Sequence, residues 1–276
     1  MKGRILIFVL VCICALLLGS GEAAIAQQKM PPNITILLLG TQSSQENARS
    51  ADAIVLACMR LDTGAVSVAS IRRDLLVKGP GNAAIKLSAA AKDGPQAVVD
   101  AVNGLFQLNI AHFVMVDLAG MEKIIDGLGG IALEIGEKEW RIESPDGNIV
   151  FHPAGLQALS GAQALLYMKA PSGEGAQQYG SHISRVLSAL MEKALKLDME
   201  KLVDLISDLL PYVETNMSLM NVLQIAGDAL SVPVSGIKTG LFPAHGQEEA
   251  YGKETAVRIE NGTAEAEAIY SFLYGP

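Results

Sequence analysis

Residues 50–77, SADAIVLACMRLDTGAVSVASIRRDLLV, decide how the chain folds. Two apolar runs, Ala53 to Met59 and Ala65 to Ile71, flank Asp62-Thr63-Gly64. Val, Ile and small residues around an Asp-x-Gly turn read as a β-hairpin rather than a helix. Charge gathers at the two ends that a hairpin makes neighbours. Asp52 precedes the first strand, and Arg72, Arg73 and Asp74 follow the second. Antiparallel pairing therefore brings two carboxylates and at least two guanidinium groups to one sheet edge. Such a cluster can hold a divalent cation together with a phosphate, or it can be an ion-pair network at a strand end.

Outward from the hairpin, the apolar run Ile34 to Leu39, closed by Gly40, reads as a fully buried strand. Gly94-Pro95 opens a helix with apolar positions at Val98, Val99, Val102, Leu105 and Phe106. His112 to Val116 is a short buried strand, and Asp117 caps the helix whose stripe is Met121, Ile124, Ile125 and Leu128. Gly129-Gly130 ends that helix and Ile131 to Ile135 returns as a strand, which predicts a βαβ unit and hence parallel pairs beside antiparallel ones. Ser160 caps a helix to Lys169, Pro171 to Gly180 reads as a polar glycine-rich loop, and Ile183 to Leu197 as an amphipathic helix. Leu202 to Leu210 and a segment capped by Ser218 are further helices, Ser235 to Phe242 is a returning strand, and Ala264 to Leu273 a terminal helix. The reading is one α/β domain with a mixed parallel and antiparallel sheet flanked by helices.

Half of the 276 residues are hydrophobic and 18% are charged, enough for a large buried core. A formal charge of −8 offers no general basic footprint, which argues against nucleic acid as a partner. Lys2 and Arg4, the apolar run Ile5 to Leu18 and Ala24-Ile25-Ala26 form an export signal over residues 1–26, cleaved or retained as an anchor. Residues 27–32, with Pro31-Pro32, make a short linker, and the domain occupies 33–276. Cys12 and Cys14 lie in the apolar leader, and Cys58 in a buried strand has no partner for an internal disulfide. His112 and His152 have no second ligand at metal spacing.

The segments NITILLLG from Asn33, SADAIVLA from Ser50, VSVASIRRDLLV from Val66 and IKLSAAAKDGPQAVVDAVNGLF from Ile85 come in a recognisable order. HFVMVDLAGMEKIIDGLGGIALEI from His112, HPAGLQALSGAQALLYMK from His152 and the helix from Ser184 complete the series. In that series the chain resembles the LytR–CpsA–Psr family, exported cell-envelope proteins of Gram-positive and related bacteria. The resemblance implies transfer of a glycopolymer from a polyprenyl-pyrophosphate carrier onto peptidoglycan or another envelope glycan, leaving lipid phosphate behind. It implies an apolar groove for the polyprenyl chain, Mg²⁺ as cofactor, and a location outside the cytoplasm, secreted or anchored at the outer face of the cell membrane. Asp52 and Asp74 match the family's magnesium-binding aspartates, and Arg73 the arginine of its Pro-Arg-Asp motif. The pyrophosphate would be held by Arg49, Arg72, Arg73, Lys86, Lys169 and Arg185, with Arg73, Asp74 and Asp52 as the catalytic set.

The chain departs from the family at that same set. Arg49 and Asp52 are three apart where the family reads Arg-x-Asp-Thr, and Ala53 replaces the threonine. In an extended segment such a slip points Arg49 to the opposite face. Lys169 and Pro171 stand where an arginine pair is usual, and a lysine is a point charge where guanidinium gives a bidentate fork. Metal capacity is thus retained while anion recognition is thinned. The alternative to a transferase is a weakened or inactive polyprenyl-phosphate-binding envelope protein or regulator. A purely structural domain would instead have a collapsed groove and no long apolar pocket.

Overall fold

In the computed structural model, residues 33–41, 49–136, 154–169, 176–194 and 212–275 are described. The predicted leader (1–26), the excursion at Glu143 to Val150, His152 and the helix at Leu202 to Leu210 lie outside them.

The core is a six-stranded sheet built from β1 (Asn33–Thr41), β2 (Ala51–Arg60), β3 (Ala65–Ile71), β6 (His112–Asp117), β9 (Val213–Thr215) and β10 (Gly236–Phe242). Its order is β10-β3-β2-β1-β6-β9, with β1·β6 and β10·β3 parallel and the remaining pairs antiparallel. The hairpin read from residues 50–77 is β2–β3, in register from Val55 against Ser70 to Met59 against Val66. At its turn Gly64 has φ +72°, and a Cβ there would sit 1.8 Å from the Pro233 carbonyl oxygen, so no other residue fits.

Both faces of this sheet are covered, which is why its central strands read as continuous apolar runs rather than alternating ones. On one face Ile36, Leu38, Val55 and Val114 pack against α2 (Leu118–Gly127), α3 (Gly161–Lys169), α4 (Ala176–Ala194) and α5 (Leu219–Ser231). On the other Leu37, Leu39, Ile54 and Leu56 meet α1 (Pro95–Phe106) and α6 (Gly262–Tyr274). The helix starts follow their polar caps. Asp117 accepts from the Gly120 amide at 2.7 Å, Ser218 and Asn221 form a reciprocal capping box, and Ser160 and Gln163 cap α3.

Two expectations are corrected. Strand β7 (Ile131–Ile135) does not rejoin the main sheet to complete a βαβ unit; it pairs antiparallel with β8 (Gly155–Leu159). The sheet is mixed because β6 and β10 return parallel to β1 and β3. Nor is the stretch to Gly180 loop throughout: α4 begins at Ala176 and carries its buried stripe, Ile183, Val186, Leu187 and Leu190, from its second turn. Two short hairpins had no apolar signature: β4 (Leu76–Lys78) with β5 (Ala84–Lys86), and β11 (Gly246–Tyr251) with β12 (Glu254–Ile259). Among the described residues no helix is long and apolar enough to cross a membrane.

Candidate functional site

Between the first sheet face and helices α2, α3 and α4 lies an apolar pocket with about 820 Å³ of empty space, its open mouth included. Leu38, Val55 and Val114 form its floor; Met121 and Ile124 of α2, Leu165 and Met168 of α3, and Ile183 and Leu187 of α4 form its walls. The lining suits an apolar ligand, as a groove for a lipid chain requires. The charged side chains that line it are Asp52, Asp117 and Lys169. They lie where parallel β1 and β6 end, the place at which α/β sheets open to ligands.

Asp52 reaches this pocket through a register shift. Gly40 pairs with Ala53, but Thr41 pairs with Ala51, so Asp52 is an extra residue with no partner on β1. Regular alternation from Ala53 would put Asp52 on the α1 face with Ile54. The bulge instead leaves Ala51 in the α1-side core and turns Asp52 into the pocket lining. Its Oδ1 accepts from Arg73 Nη1 at 2.6 Å, while Oδ2 is buried with no hydrogen-bond partner among the described residues. Beside it Gly40 and Ala53 keep the entrance open, since a Cβ on Gly40 would already lie 3.0 Å from that of Ala53.

Arg72 and Asp74 form a second, separate pair. Arg72 donates from Nε at 3.0 Å and Nη2 at 2.7 Å to the two oxygens of Asp74, and Nη2 also reaches Glu248 at 3.1 Å. The Asp74 bond is the main reason the Arg72 guanidinium holds its proton more tightly than usual. The backbone carbonyls here are engaged too: Val257 N–H donates to Asp74 O at 3.0 Å and Ser88 N–H to Arg73 O at 2.9 Å. Segment 72–74 is thus clamped between β12 and the 3₁₀ helix Leu87–Asp93.

The other sequence-derived cations scatter. Lys86 donates to Glu254 of β12 at 2.5 Å and lies 5.6 Å from the Tyr251 ring. Arg49 pairs with Glu214 of β9 at 3.0 Å, its Nε buried without a partner among the described residues, and it does not line the pocket. Arg185 donates to the Glu134 carbonyl and lies over the Tyr167 ring, and it does not line the pocket. Lys169, exposed at the end of α3, stands at the pocket itself. The structure brings together Asp52, Arg73 and Lys169 around the mouth, with Arg72 and Asp74 adjacent. Sequence reasoning missed Asp117 as a lining residue and took it for a cap alone. The available signal was its position at the carboxyl end of a buried strand followed at once by a helix.

For the implied Mg²⁺, the donor set fits at one point. Among the described residues no three of His, Cys, Asp and Glu converge as a ready cage. A hydrated magnesium ion, however, is commonly held by only one or two carboxylates, and the orphaned Oδ2 of Asp52 is such a ligand. Both oxygens of Asp74 are engaged by Arg72.

The sequence profile of the LytR_cpsA_psr family matches residues 20–265. "Biofilm regulatory protein A" of Streptococcus mutans is 26% identical over 223 residues, 73% of this chain and 53% of that protein. "Polyisoprenyl-teichoic acid--peptidoglycan teichoic acid transferase TagT" of Bacillus subtilis is 24% identical over 173 residues, 60% of this chain and 54% of that one. The chain thus spans about half the length of these curated relatives. The solved structure of "LytR-CPS2A-psr family protein YwtF (TagT) with bound octaprenyl pyrophosphate lipid" superposes with a TM-score of 0.68 at 19% identity. That superposition covers 90% of this chain and 94% of the other, and shows a shared fold.

Proposed function

The chain belongs to the LytR_cpsA_psr family, and from that premise we propose that it transfers a polyprenyl-pyrophosphate-linked glycopolymer onto peptidoglycan, outside the cytoplasm and with Mg²⁺. The observation that carries this reading is the buried, unpartnered Asp52 oxygen at the mouth of a pocket otherwise walled by aliphatic side chains. A hydrophobic tail and a phosphate-bound cation are the two things such a site accommodates together. The octaprenyl pyrophosphate in a structure of the same fold supports it.

The lipid chain fills the pocket between β1, β2 and helices α2, α3 and α4, with the pyrophosphate at the Asp52 end. Arg73 exchanges its bond to Asp52 for a phosphate oxygen, and Lys169, which also lines the pocket, adds a second positive charge. Mg²⁺ would be held by Asp52, and by Asp74 in exchange for a bond from Arg72, and it would neutralise charge on the phosphates. An acceptor hydroxyl then attacks the phosphorus nearer the sugar. The new phosphorus–oxygen bond forms as the bridging bond of the pyrophosphate breaks; the hydroxyl proton leaves through the open mouth and polyprenyl phosphate departs. Such transfer depends on alignment and charge neutralisation more than on a protein nucleophile.

A second reading, a polyprenyl-phosphate-binding envelope regulator, is favoured by the pairing of Arg49, Arg72 and Lys86 with chain carboxylates. The experiment that separates them is release of polyprenyl phosphate by the wild type and by Asp52→Asn. The transferase reading expects Mg²⁺-dependent release that falls by about ten- to a hundredfold in the variant, as expected when one charge-assisted contact to the metal is lost. Equal release by both proteins contradicts it.

A further inference from the structure

Four of the six cations that the resemblance assigns to the pyrophosphate are already matched by carboxylates of the same chain. Arg73 is on Asp52, Arg72 on Asp74 and Glu248, Lys86 on Glu254, and Arg49 on Glu214. Two of these carboxylates, Glu248 and Glu254, come from the β11–β12 hairpin, about 170 residues further along the chain. That hairpin is docked beside the mouth by several bonds. Leu75 bridges to Val257, the Val257 amide reaches the Asp74 carbonyl, and Tyr251 Oη donates to the Ala84 carbonyl at 3.1 Å. Lys86 also sits against the Tyr251 ring. The two carboxylates nevertheless face solvent: Glu248 is 59% and Glu254 74% exposed at the side chain. The Glu254 carboxyl is held below its ordinary range, first by the bond from Lys86 and more weakly by the field of Arg73, the residue that holds Asp52. The hairpin thus stands within electrostatic reach of the pocket mouth.

We infer that the β11–β12 hairpin sets the charge class of the transferred polymer, Glu248 and Glu254 admitting a glycan with little or no charge and rejecting a polyanionic one. The inference rests on the proposed function, because the polymer must leave the pyrophosphate past this edge. A polymer emerging from the mouth meets the exposed, outward ends of these pairs, and because Arg72 carries both Asp74 and Glu248 the edge keeps one carboxylate more than its paired cations. A repeating phosphodiester or uronate chain is repelled within a Debye length of about 8–10 Å, and a neutral oligosaccharide is not. Repulsion of the wrong ligand, with no gain in contact to the right one, is enough to discriminate.

The test uses the full chain and two short-chain polyprenyl pyrophosphates, one bearing a neutral hexosamine oligosaccharide and one the same oligosaccharide carrying phosphodiesters. Affinity for each is measured at low and high salt, and polyprenyl phosphate release is followed in parallel. The wild type is expected to bind the neutral carrier about tenfold more tightly at low salt, with the ratio shrinking as salt rises. The double variant Glu248→Gln/Glu254→Gln is expected to bring the ratio close to one. Equal affinity of the wild type for both carriers, or an unchanged ratio in the double variant, overturns the inference. If both carriers bind and neither is turned over, the transfer reading fails and the affinity ratio still decides the charge selectivity. Binding of neither carrier overturns both.

Discussion

Replacing Asp52 by Asn separates metal binding from folding, because the structure predicts that the two effects differ. In the free protein Asp52 gains one charge-assisted bond from Arg73, which is about half exposed, and bears one buried oxygen without a partner. Asn keeps the acceptor for Arg73 and removes the charge. The lost charge assistance costs about 1 kcal/mol, and the relief of burying half a carboxylate unpaired returns a similar amount. Stability in chelator should therefore change by less than about 1 kcal/mol. Magnesium changes the balance. At a concentration of 100 times the dissociation constant, an ion bound only by the folded chain stabilises it by about 2.7 kcal/mol. For a domain of this size that is roughly 5–10 °C in melting temperature. Thermal melts of wild type and Asp52→Asn, with Mg²⁺ and with chelator, should show this shift in the wild type alone. The reasoning is refuted if the variant keeps the shift, or if it loses more than about 3 kcal/mol in chelator.

Asp74→Ala removes both acceptors of a guanidinium whose side chain is only 9% exposed, leaving Arg72 with Glu248. It should cost about 2–4 kcal/mol in urea unfolding, and a loss below 1 kcal/mol would mean the pair behaves as a surface bridge. Ala53→Leu extends three carbons into the pocket entrance. Folding stability should move by less than about 1 kcal/mol, while affinity for a fluorescent polyprenyl phosphate should fall by about 2 kcal/mol, roughly thirtyfold; unchanged affinity would place the lipid elsewhere. Burial pushes the Cys58 thiol up to about 11. The folded chain then keeps this proton to higher pH than the unfolded chain, so the contribution is intact below about pH 8.5 and is lost as pH rises towards 11. The loss amounts to about 3 kcal/mol. The urea midpoint of the wild type should fall over that window more than that of Cys58→Ala, and parallel curves would contradict the assignment.

The hairpin and its ionic ends were legible because strand propensity, turn residues and charge all act locally between Ser50 and Val77. The apolar runs of β1 and β6 and the polar caps of α2, α3 and α5 were legible for the same reason. Asp52's orientation was not. A one-residue bulge reverses which face it joins, and Ala51 and Ala53 on either side are too small to mark an inside and an outside. The partner of β7 was misplaced because an apolar strand after a helix fits a main sheet and a separate hairpin equally well. The pairing of Lys86 and Arg72 with Glu254 and Glu248, 168 and 176 residues away, was not legible because those carboxylates lie in a strand pair too polar to announce itself. Residue types were therefore readable at the site, and their pairings were decided by tertiary approach.

On the proposed function, this apolar pocket and its ionic mouth carry out transfer as well as binding. The direct measurement is single-turnover release of polyprenyl phosphate from a short-chain polyprenyl-pyrophosphate oligosaccharide, offered with a peptidoglycan acceptor, with and without Mg²⁺. A transferase is expected to show release that requires the metal and leaves the oligosaccharide phosphate on the acceptor. Saturable binding of the carrier with no release under either condition would contradict it, and would leave a lipid-phosphate-binding protein in its place.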